Sequence, residues 1–177
     1  DKPVKEFLLL TSHFIYFTPK LCLDVFGITN AIDILDILLK KNIFITKNLI
    51  ILQDKPEVIY TYNDYFKRFL QNQQSKTLPK DDLTKSIRTI AEYFQNKGDY
   101  DNAISYFLQA ERFDEALKLI SDIYVDFSQI GDLQKIDNWF SKLPEELILN
   151  YPDTVYLQAL LVLKLNNDLK KASLLIN

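Results

Sequence analysis

Two five-residue phrases, thirteen residues apart, carry the same chemistry, and they restrict what this chain can fold into more than any other feature. Tyr100-Asp101-Asn102-Ala103-Ile104 returns as Phe113-Asp114-Glu115-Ala116-Leu117: aromatic, acid, polar, alanine, aliphatic. Such an echo indicates stacked helical units. A small residue lets neighbouring helix axes approach to roughly 8–10 Å, and the aromatic ahead of each alanine would lock the incoming turn against the preceding helix. Upstream, Ile87, Ile90, Ala91 and Phe94 recur at i, i+3, i+4 and i+7, with Gly98 as the stop. Downstream, Leu133, Ile136, Trp139, Phe140 and Leu143 make another apolar stripe. Pro144 then starts a helix whose first turn carries Glu145 and Glu146, and Tyr156, Ala159, Leu160 and Leu163 continue the stack. A last helix begins at Asp168 and stops mid-repeat at Asn177. A solenoid end without a cap exposes apolar surface, so further repeats are expected to follow.

The first 70-odd residues follow a different pattern. Phe7, Leu8 and Leu10 anchor a helix over about Val4 to Ser12. Thr18 and Pro19 suit the N-cap and first position of a second helix, which Gly27 ends. Asn30 is placed to cap a third helix, with Asp33 in its first turn and Ile34, Leu35, Leu38 and Leu39 on one face. Ile43 to Leu52 is β-branched and apolar, Asp54-Lys55-Pro56 is turn-like, and Glu57 to Tyr62 is a second strand. Three helices and a hairpin make a winged-helix arrangement. A further helix, about Asp64 to Gln74, carries Tyr65, Phe66, Phe69 and Leu70. Periodicity is lost through Gln71-Asn72-Gln73-Gln74-Ser75-Lys76, which puts a domain boundary near residue 76. The expected fold is mainly α: a small winged-helix module over 1–76, then α-α superhelical repeats over 77–177.

Composition excludes several functions. The formal net charge is −3, and the basic doublets Lys40-Lys41, Lys67-Arg68 and Lys170-Lys171 lie far apart. Nucleic-acid binding needs concentrated positive charge. The third helix, the usual DNA reader of a winged helix, offers Asp33 and Asp36 before Lys40 and Lys41, so it is expected to dock within the protein. A phosphate-cradling loop needs clustered glycines, whereas Gly27, Gly98 and Gly131 are isolated at helix ends. His13 and Cys22 are the sole residues of their types, so they fit an inter-helix polar residue and a buried thiol better than a catalytic dyad. Asp81-Asp82 and Glu145-Glu146 stand at helix starts, where they complement the dipole rather than perform acid–base work. The 10 Tyr and 12 Phe fall at helical spacing, which favours core packing over base stacking. No apolar run reaches the ~20 residues of a membrane helix. One cysteine suits a reducing cytosol. The chain begins at Asp1 and lacks Met, so it reads as a cytoplasmic segment of something longer. No catalytic residue, metal ligand or resident cofactor is expected.

Ile87, Ala91, Phe94, Gly98, Tyr100, Ala103, Phe107 and Ala110 follow the tetratricopeptide order of large, small, aromatic, glycine, aromatic, alanine, aromatic, alanine. VKEFLLLTSHFIYFTPKLCLDVFG (4–27), AIDILDILLKKNIFI (31–45) and VIYTYNDYFKRFL (58–70) resemble, in register, the winged-helix segment of the MalT-like transcription regulators. These are LuxR-type proteins with a STAND nucleotide-binding domain. Residues 131–172 resemble the start of that family's repeats, where Trp139, Leu143, Pro144, Glu145, Glu146 and Pro152 supply its signature. The resemblance implies a relay between a nucleotide-binding switch and a helical-repeat sensor. ATP or ADP would sit in an upstream domain held by the winged helix, an inducer or regulatory protein would bind the repeats, and DNA would be read elsewhere. A stand-alone repeat scaffold for protein–protein interaction is the alternative. Family members usually have Tyr-x-Tyr-His after the wing, and related switch proteins touch nucleotide with that histidine. Here the run is Tyr60-Thr61-Tyr62-Asn63, and Asn63 cannot become cationic.

Overall fold

The computed structural model describes residues 2–52, 55–129 and 131–176. Within them the chain is mainly α, with eleven helices and a two-stranded antiparallel hairpin. It divides into two compact units, Asp1–Ile90 and Ala91–Asn177.

The N-terminal unit runs α1 (Lys2–Thr11), α2 (Pro19–Phe26), α3 (Ala31–Lys40), β1 (Ile45–Leu52), β2 (Lys55–Tyr62) and α4 (Asp64–Thr77). Three helices, a hairpin and a closing helix form the winged-helix arrangement that the sequence pattern predicts. Local chemistry sets its joints. The Thr18 side chain accepts from Leu21 N at 3.0 Å and Pro19 stands in the first turn, so α2 starts there. Gly27, at φ 69°, ends it with its N–H on Leu23 O at 2.8 Å. Asn30 holds the N-cap position of α3, but its side chain makes no capping bond. Asp54 lies outside the described residues. β1 begins at Ile45, two residues later than the apolar run suggests, because Asn42 and Phe44 adopt positive φ of 51° and 38°. The strands pair Ile45 with Tyr62 through Leu52 with Lys55. Phe17 adds a bridge to the other side of β2, its N–H on Tyr60 O at 2.9 Å and its carbonyl accepting from Tyr60 N at 2.8 Å. Around it the core closes with Phe7, Phe14, Leu35 and Leu38, all at most 2% exposed.

Two expectations for α4 need correction. The helix continues through the polar run to Thr77. Of its aromatic residues, Tyr65 is 81% and Phe69 54% exposed, whereas Leu70 is buried. Gln74 is buried in place of the missing apolar residue, because it has a polar partner inside the unit.

The helices that follow are α5 (Lys80–Asn96), which spans the division, α6 (Tyr100–Gln109), α7 (Phe113–Gln129), α8 (Leu133–Phe140), α9 (Glu145–Leu149), α10 (Pro152–Asn166) and α11 (Leu169–Ile176). Tyr100 and Phe113, the aromatics of the echo, each open a helix, and Ala103 and Ala116 are fully buried where α6 packs on α7. Phe94 stacks on Tyr106 at 5.5 Å and 7°. Lys135 of α8 pairs with Asp101 of α6 at 2.8 Å and with Asp132 at 3.1 Å. Ile136, Trp139, Phe140 and Leu143 are buried as the stripe requires. Tyr156 departs from its expected core position: it is 56% exposed, and Ala159, Leu161 and Val162 are buried on α10.

Candidate functional site: the winged helix and its polar junction

The exposed side of α3 carries Ile32, Asp33, Asp36 and Ile37 before it reaches Lys40 and Lys41. Two carboxylates in the middle of that face oppose an approaching phosphate backbone, and two exposed isoleucines suit a protein surface. The wing changes character along its length. At its base Tyr60 and Tyr62 are buried against Phe17, with ring centroids at 6.1 and 5.0 Å. Farther out on the same face, Leu49 and Ile51 are 69% and 67% exposed beside Val58.

Asn63 sits where the wing turns into α4. It is exposed, and its Oδ1 accepts from Tyr65 N at 3.0 Å, so the side chain works as the helix N-cap. Its own N–H donates to Phe44 O at 2.9 Å, which secures the left-handed backbone there. The Phe44 ring meets Phe66 at 5.4 Å, and Phe66 stacks on Phe69 at 6.4 Å and 16°.

Behind the wing lies a chain of buried polar contacts at the end of α1. Thr11 Oγ1 donates to Phe7 O at 2.7 Å, so its 2.6 Å contact with Tyr62 Oη has the tyrosine as donor. Burial pushes the Tyr62 hydroxyl up, so it keeps its proton. His13 Nε2 lies 2.6 Å from Gln74 Oε1; an amide oxygen only accepts, so the imidazole carries its proton there. Burial, opposed by this hydrogen bond, lowers the His13 pKa, and the nearby Lys67 charge lowers it further. Gln71 Nε2 donates to Ser12 O at 3.0 Å. Gln74 Nε2 is buried without a hydrogen-bond partner. These glutamines lie in the tract whose apolar period lapses. The available signal was their spacing, since Phe66, Leu70 and Gln74 continue one i, i+4 row.

Cys22 is fully buried and free, and burial pushes its thiol up to about 12. A thiol held protonated is a packing residue and a poor nucleophile. Among the described residues, no group of three His, Cys, Asp or Glu is placed to hold a metal. No helix among them is long and apolar enough to cross a membrane. An apolar groove of about 460 Å³ lies between α1 and α4; the sequence carries no signal of it, because only the fold brings their half-buried faces side by side.

No curated protein and no solved structure matches the chain. Residues 1–82 match the family model of the MalT winged helix domain. The three helices, hairpin and closing helix agree with this match, so the N-terminal part of the chain is similar to the MalT winged helix domain in sequence and in its order of elements.

Proposed function

We propose that the chain is a non-catalytic relay segment of a MalT-like, LuxR-type transcription regulator. In this reading residues 1–76 dock against an upstream STAND nucleotide-binding domain, and residues 77–177 begin a tetratricopeptide-like sensor in the cytoplasm. The observation that carries it is the MalT winged helix match over 1–82, joined to an α3 face that presents Asp33 and Asp36. That face disfavours phosphate contact, which supports intramolecular docking as the role of the module. Asn63, exposed at the joint of wing and α4, is the position from which a nucleotide-dependent contact would be felt. An inducer or regulatory protein would act on the repeats. The segment itself would hold no cofactor.

Calorimetry tests this with ATP and ADP added to the chain alone and to its mixture with the native protein's upstream region. The expected result is no nucleotide binding by the chain alone and an association with the upstream region that differs between ATP and ADP. Failure to associate in every nucleotide state would favour an independent repeat scaffold that binds a partner protein.

A further inference from the structure

The groove between α1 and α4 has a distinct chemistry. α4 supplies Phe66, Phe69, Leu70 and Gln73, an i, i+3, i+4, i+7 row, while α1 supplies Val4 and Leu8 opposite. Among the described residues, Lys5 is the charged side chain that lines it; Lys2 stands one turn earlier on α1, and Glu6 does not line the groove. The site is therefore apolar with a positive lip, in a chain whose formal net charge is −3.

Its volume of about 460 Å³ falls within the span of small-molecule pockets, roughly 300–1,000 Å³. Its walls, however, do not enclose. Phe69 is 54% exposed and Lys5 is exposed, whereas a small-molecule site covers most of its ligand. Two neighbouring helices with a half-open apolar seam instead receive the ridge of a third helix. Charge complementarity then selects an occupant with carboxylates beside its apolar row. We infer that the α1–α4 groove is a docking site for an acidic amphipathic helix of a protein partner. This holds independently of the relay reading, since it concerns the groove and not the source of the helix.

The probe is a designed, fluorescein-labelled amphipathic peptide with leucines at i, i+3, i+4 and i+7, in one version flanked by Glu and in another by Lys. Anisotropy titrations at low salt with the full chain should show tighter binding of the Glu version. Phe69→Ser should weaken it about tenfold or more, as loss of a central aromatic does. Lys5→Glu should reverse the preference between the two peptides by a few-fold, the scale of an exposed ion pair. Both positions are exposed, and circular dichroism checks that each variant stays folded. Absence of binding, equal binding of the two versions, or indifference to Phe69→Ser would overturn the proposal. So would a dimer in sedimentation that Phe69→Ser abolishes, since the occupant would then be a second copy.

Discussion

Both units bury aromatic rings, but the N-terminal unit also buries a set of polar side chains, whereas the C-terminal unit packs its rings, Tyr106, Trp139 and Phe140 among them, against alanines and aliphatic side chains. Thr11, Ser12, His13, Thr18 and Gln74 are buried in the first; Thr154 is the one buried polar residue described in the second. Ring contacts link Phe7, Phe14, Phe17, Tyr60 and Tyr62 across helices and wing. In the second unit Ala103, Ala116, Ala159 and Ala172 lie buried at helix contacts, with Ile104, Ile120, Ile136 and Leu161 around them. The difference teaches how each unit is specified. Directional polar bonds select one arrangement of a few elements, while small residues at a regular period set a spacing that can be repeated.

The comparison can be broken by mutation. Phe17→Ala removes the fully buried ring that touches α1, the loop and both wing tyrosines, and should cost about 3–5 kcal/mol. Trp139, the single tryptophan, is buried in the C-terminal unit, so its fluorescence separates the two responses. Urea unfolding by circular dichroism should shift strongly, and the Trp139 transition should move less. An equal shift in both probes would erase the distinction between the units. Ala116→Trp is the converse test. Overpacking that contact should destabilise by about 1–3 kcal/mol, read as a lower melting temperature by circular dichroism. An unchanged melting temperature would remove the role given to the alanines.

A smaller effect sharpens the polar half of the comparison. Gln74→Leu leaves the His13 N–H without its acceptor and should cost about 1–3 kcal/mol. Pairing it with His13→Leu should recover part of that loss, and strictly additive costs in the double variant would show that the two do not act as a unit. The smallest effect is a pH dependence. Burial holds His13 below its ordinary value, so folding favours the neutral ring. The resulting stability is complete above about pH 6.5, the unfolded-state value, and is lost as pH falls below it through the folded-state pKa. Wild-type stability should therefore decline on acidification below about pH 6.5, and the non-titrating His13→Gln variant should decline less steeply. Parallel curves would assign the decline to other groups.

What could be read from sequence follows the same division. The alanine echo, the 133–143 stripe and the Thr18–Pro19 cap are short-range patterns, and each stands where its period or cap chemistry puts it. Asn30, Tyr65, Phe69 and Tyr156 were less legible, because whether a side chain caps or packs depends on what the fold sets against it. The His13–Gln74 contact joins residues 61 apart in the chain, and no window of periodicity contains both. The α1–α4 groove was hidden for the same reason, since each helix alone shows only an apolar face. Asn63 was singled out by resemblance, and its capping bond to Tyr65 N is a structural detail that resemblance does not contain.

The central claim is that this winged helix meets protein and not DNA. Its most direct test is fluorescence anisotropy of a labelled random-sequence duplex titrated with the chain at low and at physiological salt. Asp33 and Asp36 in the middle of the α3 face predict no saturable binding at physiological salt and at most a weak rise at low salt. Saturable binding with a steep salt dependence, weakened by Lys40→Glu and Lys41→Glu, would contradict it and make α3 a recognition helix after all.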